Sequence, residues 1–452
     1  MNEERSFERF VADHVAAQQG GVPLPDDFFD EMHSFATTTR QRPEWLALIK
    51  EPPMRTNSHL AVGSPTVRVA AILIATMLLA LALAAAGAAG QRLLAADAAI
   101  IVDQSGDGDY TTLAEAVEAA DDGDEILIRP GSYTEAIVID KALTIKGDGP
   151  RESIMIGGYQ EPERWAAGSE CATSEPGACA IVLADTTTAL SDVTFSGGHA
   201  GLKIIGGAPT VSGVLFDRVG TPESNGKLGL AMMIDASSTA RVVGNDFVAG
   251  AAIEITGRAE PVIEGNVLSG GSRIIANDPG DAAVIRSNRI SDPAASAISV
   301  NAPSRLLIED NEISGAAEDG IRLGLFSGNG LDPTIRHNSI ERSGGSGVNA
   351  VLGGAPTIED NTFTDNALGL IVGLGQAQVR SNELSGDGSG ITVARGSDPV
   401  IRDNTIDVSG IGVTLSDGAR GTLSENDVCG AERAIFVHEN AASNVDASNQ
   451  TC

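Results

Sequence analysis

From Ile100 to Cys452 short apolar triplets alternate with polar turns, and the pattern returns about every 22 residues. Aligned on apolar–x–x–Asn–x–apolar, ten asparagines form one column: Asn245, Asn266, Asn288, Asn311, Asn338, Asn361, Asn382, Asn404, Asn426 and Asn449. The steps between them are 21, 22, 23, 27, 23, 21, 22, 22 and 23 residues. Three positions before the first nine stand Val242, Ile263, Ile285, Ile308, Ile335, Ile358, Val379, Ile401 and Leu423; two positions after them come Phe247, Leu268, Ile290, Ile313, Ile340, Phe363, Leu384, Ile406 and Val428. Two earlier units, at Val193–Phe195 and Val214–Phe216, keep the frame with Val in place of Asn, and the last unit breaks it at Asp446. Leucine-rich repeats share this length but need Leu at fixed places, and helical repeats are longer and rich in Ala and Leu. β-Branched residues in period-2 strands predict an all-β fold, a single-stranded parallel β-helix. About thirteen coils, each ~4.8 Å above the last, make a rod roughly 60 Å long.

The columns have mechanical readings. Asn tolerates the left-handed turn conformation, and its amide both donates and accepts, so asparagines stacked in register form a ladder along the rod. Two positions before each Asn a second column reads Glu264, Arg286, Glu309, Arg336, Glu359, Arg380, Arg402. Its neighbours inward are apolar, so these charges face out, and their signs, alternating over the first six, predict a register-fixing ion-pair ladder. His337 stands in the next column between Asp310 and Asp360, a solvated surface position. Cys429 and Cys452 each follow their Asn by three residues, which puts them side by side on adjacent coils, within disulfide reach.

Ahead of the rod the pattern changes. Thr112-Leu-Ala-Glu115 is a capping box that opens a helix ending near Gly123, and a helix there would cover the open end of the solenoid. Residues 69–91 carry no charge and are long enough to span a bilayer. Lys50, Arg55 and Arg68 flank that run on one side, against Arg92 alone on the other before Arg129, which places the N-terminus in the cytoplasm. Small residues at Ala84–Gly90 also suit a cleaved signal peptide, but such a peptide has a short basic start and a long segment precedes this run. The expected organisation is a partly helical cytoplasmic tail at 1–68, a transmembrane signal anchor at 69–91, a linker at 92–99 and an extracytoplasmic β-helix at 100–452. All four cysteines follow the apolar run, as expected of an oxidising compartment, with Cys171–Cys179 closing a loop and Cys429–Cys452 stapling the end. No C-x2-C pair is present, so no metal site is expected of them.

The net charge is −31, from 61 acidic and 30 basic residues, and residues 1–68 hold only ten acids and seven bases. A surface so acidic repels phosphates and excludes nucleic acid as the main partner. There is no P-loop, nucleophile elbow, H-E-x-x-H or dinucleotide fingerprint, and no cluster of Met, His and Cys for copper.

Residues 101–156 resemble the N-terminal part of pectinesterases and other pectin-lyase-like proteins. The match rests on Gly106, Asp107, Gly108, Tyr110, Thr112, Ala116, Gly123, Asp124, Pro130, Gly131, Tyr133 and Glu135. The Asn-bearing coils are similar to repeats of polysaccharide-processing β-helices and of the periplasmic accessory protein of nitrous oxide reductase. The resemblance implies a right-handed helix and a polysaccharide ligand. Catalytic motifs do not follow: the Gln-Asp-Thr and Gly-x-Asp-Phe-Ile-Phe-Gly segments of pectinesterases are missing. Of the polygalacturonase motifs only Gly198-His199-Ala200-Gly201 comes near.

Two insertions, Tyr159–Ala178 and Asp217–Lys227, interrupt the period and are expected side by side as a wall on neighbouring coils; in pectin-lyase-like proteins such turns border the binding groove. Tyr159 and Trp165, with His199, are the expected ligand-binding side chains. Lys203, Asp235 and Glu254 alternate outward on three successive coils; a lysine between carboxylates suits acid–base catalysis, or a Ca2+ ion shared with acidic sugars. Gly328-Asn-Gly-Leu-Asp332 is half of a calcium-binding nonapeptide and, occurring once, reads as a turn. The expected function is a tethered β-helix that binds or processes polysaccharide. A non-catalytic scaffold or adhesin, and an accessory factor for an envelope enzyme, are the alternatives.

Overall fold

The computed structural model describes residues 99–157, 179–197, 200–219, 230–324, 331–352 and 354–452. The tail and the 69–91 run lie outside them, and among the described residues no helix is long and apolar enough to cross a membrane. The described chain winds through about fourteen turns of an all-β parallel solenoid. Each coil gives one strand in turn to sheet C, sheet A and sheet B, which hold 13, 15 and 14 strands, every pair parallel. Ile263, Ile285, Ile308, Ile335 and Ile358 stack in register on sheet A, as Ile290, Ile313, Ile340, Phe363 and Leu384 do on sheet B. Both columns are fully buried, as period-2 alternation requires of strands with one wet face. Phe195, Phe216 and Phe247 extend the sheet B column as stacked rings 5.1 and 4.6 Å apart.

All ten asparagines form the ladder, at the turn from sheet A to sheet B. Each Nδ2 from Asn245 to Asn426 donates to Oδ1 of the next Asn at 2.8–3.0 Å. The same Oδ1 also accepts the backbone N–H of the preceding Asn, and Nδ2 gives its other proton to a strand carbonyl one coil back, as Asn338 does to Ile308 at 3.0 Å. The left-handed residue, however, is not the Asn but the one before it: Ser287, Asp310, His337, Asp360, Ser381, Asp403 and Glu425 have φ between +53° and +57°. That turn aims the Asn side chain inward, where its amide finds partners above and below, so the strain and the hydrogen bonding fall on different residues. The outer charge column resolves into separate pairs rather than a continuous ladder: Arg286–Glu264 at 2.9 Å, Arg336–Glu309 at 2.7 Å, and Arg380 Nε–Glu359 at 2.6 Å. Arg402 turns instead to Asp403.

The turn from sheet B to sheet C is built differently. Gly320, Gly347, Gly369, Gly390 and Gly412 occupy one register column. A Cβ on each would collide with the sheet B core residue of the next coil, Ile340, Phe363, Leu384, Ile406 and Val428 respectively. A short polar ladder runs beside them. Ser343 N–H donates to Asn366 Oδ1 at 2.9 Å, and Asn366 Nδ2 donates to Asp387 Oδ1 at 3.0 Å. Asp387 is fully buried, its Oδ2 has no hydrogen-bond partner among the described residues, and burial pushes its carboxyl up to about 6.

Helix α1 (Leu113–Ala119) covers the first coil, with Leu113, Ala116 and Val117 buried. It ends short of the expected Gly123, where Ala120 turns extended, and Lys141 Nζ takes the terminal carbonyls of Val117, Glu118 and Ala120 at 2.7–2.9 Å. Of the expected capping box one arm forms, Thr112 Oγ1 accepting the Glu115 N–H at 3.2 Å, while the Glu115 carboxylate takes the Thr112 hydroxyl; Glu135 accepts the N–H groups of Leu113 and Ala114 at 2.9 and 2.7 Å. Tyr133 is buried with its hydroxyl on the Arg129 carbonyl at 2.8 Å. Several of the residues that carry the family resemblance are thus builders of the cap. At the other end the Cys429–Cys452 disulfide joins register neighbours with Cα atoms 4.8 Å apart.

Candidate functional site

Sheets A and B present outer faces explained mostly by pairing and hydration, although Arg286 Nε on sheet A is also buried without a partner among the described residues; sheet C is less regular. Its central outward column runs Val182, Lys203, Met233, Glu254, Ile275, Ser299, Arg322, Asn349. Strand alternation directs these side chains away from the core, yet Val182, Lys203, Ile275 and Ser299 are only 8–9% exposed. The stretch is therefore a partly recessed floor, with Met233, Glu254, Arg322 and Asn349 half-buried among the covered positions, and its side chains follow no periodic rule.

Lys203 and Glu254 lie in that one column, two coils apart with Met233 between them, which puts their backbones roughly 10 Å from each other. Asp235 is displaced along the strand and pairs with Ile205. Its Oδ1 accepts the Ala236 N–H at 2.7 Å and fills the space a Cβ would need at Gly257 on the next coil, φ +56°. The same carboxylate-over-glycine contact joins Asp185 to Gly206, Asp192 to Gly213, Asp292 to Gly315, Asp365 to Gly386 and Asp407 to Gly430. The geometry of Asp235 is that of a repeated turn device. Tyr159, Trp165, His199 and Cys171 lie outside the described residues, while Cys179 is disulfide-bonded. The two insertions do not fall on neighbouring coils: one precedes strand Cys179–Ala184 and the other strand Leu230–Asp235, with strand Ala200–Ile205 between.

Sequence reasoning passed over the polar groups that gather on this face. Asp319 is 3% exposed and accepts Arg322 Nε at 2.7 Å, the Ser346 N–H at 2.8 Å and Asn349 Nδ2 at 3.2 Å. Arg322 also meets Glu318 at 3.1 Å. Arg273, at the far end of its strand, has a buried Nε with no partner among the described residues, and burial lowers the pKa of its guanidinium. At the opposite edge Asn301 Nδ2 donates to Asn277 Oδ1 at 2.7 Å, Asn277 donates to Glu254, and Asn301 Oδ1 is buried without a partner among the described residues. The face thus holds both an unmet donor and an unmet acceptor, and both kinds are uncommon in buried positions. Only register, set by turns of unequal length, brings these residues together. The one grouping of metal-ligand types among the described residues, Asp427, Cys429 and Cys452, has its sulfurs in the disulfide.

A family model described as right handed beta helix region matches residues 231–384 and 280–451. No curated protein matches the chain in sequence. Among solved structures, a periplasmic alginate epimerase is similar at 12% identity and TM-score 0.47, over 73% of this chain and 77% of that one. An alginate lyase matches at 12% identity and TM-score 0.46, over 77% and 87%. The catalytic domain of an α-1,3-glucanase, solved with tetrasaccharides, matches at 14% identity and TM-score 0.46; there the chain spans 64% of the other's length.

Proposed function

This chain has the right-handed, pectin-lyase-like β-helix fold, and from that premise we propose that it is a polysaccharide-binding rod whose ligand lies across the outer face of sheet C. The observation that supports this reading is the partly recessed floor between Lys203 and Asn349, flanked by the unmet Arg273 Nε and the unmet Asn301 Oδ1. Saccharides present alternating hydroxyl donors and ring or carboxylate acceptors, and buried polar groups left without partners are what such a ligand would satisfy. The two groups lie on successive coils and four residues apart along the strand direction, roughly 14 Å, a span suited to a few sugar rings rather than one. Affinity electrophoresis of the full chain in gels cast with neutral and uronic-acid polysaccharides tests the reading. Retardation by at least one, weakened about tenfold by Arg273→Ala, is expected; migration unchanged in every gel would sink it.

Processing of the bound glycan would fall to Lys203, Asp235 and Glu254. The roughly two-coil separation of Lys203 from Glu254 and the turn contact of Asp235 support binding over proton transfer. Turnover lost in Lys203→Ala would reverse that preference. We further propose that residues 69–91 tether the rod outside the cytoplasm; the apolar run, its basic flank and the placement of all cysteines on one side of it support this. Protease added to intact cells should digest the rod and spare the tail.

A further inference from the structure

Glu254, Asn277 and Asn301 stand on three successive coils of sheet C, Glu254 in the central column and the two asparagines in register just past the ends of their strands, and their hydrogen bonds run one way. A carboxylate only accepts, so Asn277 must turn Nδ2 toward Glu254. That leaves Asn277 Oδ1 for Asn301, whose Nδ2 fills it at 2.7 Å. Asn301 therefore has no choice of orientation: its amide nitrogen is committed, and Oδ1 faces the next coil. There the register position is Gly324, φ +84°, which has no side chain to answer it. In the main ladder each such oxygen after the first is met by the neighbouring Asn; here, among the described residues, the series stops on an acceptor in a residue only 8% exposed.

We propose that this relay is a specificity device of the sheet C site, in which Glu254, acting through Asn277, fixes Asn301 Oδ1 as the acceptor for one sugar hydroxyl. The inference rests on the polysaccharide reading and adds to it. Glu254 and Asn277 are positioning residues, and Asn301 alone touches the ligand. A glycan that lacks the hydroxyl, or carries an ether there, leaves the buried oxygen unmet and is rejected, as polar sites reject analogues missing a donor. Glu254→Gln keeps size and shape but can donate as well as accept, so it frees both amides to flip.

The full chain is titrated with a panel of neutral and uronic-acid hexasaccharides, and the tightest is remade as its series of mono-deoxy analogues. Wild type is expected to lose about tenfold in affinity for one deoxy analogue, the size of one hydrogen bond. Asn301→Ala and Glu254→Gln should bind the parent sugar about tenfold more weakly and no longer distinguish that analogue, with the melting temperature of Glu254→Gln unchanged. Loss of this discrimination is what a merely structural role would not produce. Parent affinity and discrimination both retained in Glu254→Gln and Asn301→Ala would overturn the relay and leave the polysaccharide reading standing. No binding of any hexasaccharide by wild type would remove both.

Discussion

The two polar turns of this rod solve one problem unequally. Between sheets A and B, ten amides stack so that each buried oxygen and nitrogen is met by the coil above or below. Between sheets B and C, the series Ser343, Asn366, Asp387 is three residues long and ends on a carboxylate whose Oδ2 has no partner among the described residues, with the exposed Ser409 next in register. A buried polar side chain is thus cheap in the middle of a long register column and costly at the end of a short one. Where the polar series fails, the B-to-C turn relies on steric closeness through its glycines.

Breaking the complete ladder should have the largest effect. Asn338→Ala strands the backbone N–H and Nδ2 of Asn311 and frees the Ile308 carbonyl, and a loss of about 4 kcal/mol is expected in urea unfolding. Gly369→Ala drives a methyl against Leu384 and should cost about 3 kcal/mol, with no loss of hydrogen bonds. An equal cost at Gly396, where a Cβ meets only Leu374 at 3.5 Å, would show that φ rather than space decides. Asp387→Asn should do the opposite and stabilise. Its folded pKa of about 6 lies above the ordinary 3.8, so its contribution is whole below the lower value and is lost as pH rises through the upper one. The variant should therefore match wild type near pH 3.5 and exceed it by about 2 kcal/mol at pH 7.5, read from paired denaturation curves. A gap that does not depend on pH would mean that the carboxylate is not what the turn tolerates poorly. Glu309→Gln, on the half-buried pair with Arg336, should change stability by at most about 1 kcal/mol and less in high salt.

The ladder was legible in the sequence because it recurs: ten asparagines at near-constant spacing can be aligned without knowing the register of any strand. The cysteine staple followed from the same column. The left-handed residue was misplaced by one position because Asn has the right intrinsic preference, whereas the turn assigns the strain to whatever precedes it, even His337 and Glu425. The glycine column was not read, since glycines are spread through every turn and only the packing of Gly347 on Phe363 or Gly369 on Leu384 marks these five. The polar groups of sheet C were hidden for a stronger reason. Arg273, Asn301 and Asp319 occur once each, and their convergence depends on turns whose lengths vary from coil to coil. Lys203 and Glu254 were found from strand alternation, but the Met233 between them belongs to a bulged strand that alternation does not foresee.

The complete ladder also has an electrical sense. Each Asn carbonyl accepts from the coil before and each amide nitrogen donates to the coil after, so ten side-chain dipoles point the same way along the rod, as peptide dipoles do in a helix. Such a row has two ends that need caps of opposite sign, and both are present. Its oxygen end, at Asn245, receives the Val214 N–H at 3.0 Å. Its hydrogen end, at Asn449, is closed by the carbonyls of Leu423 and Asp446 at 2.9 and 2.6 Å. One amide turned the wrong way inside the row would set oxygen against oxygen on one side and hydrogen against hydrogen on the other, so the column is held in a single polarity from end to end.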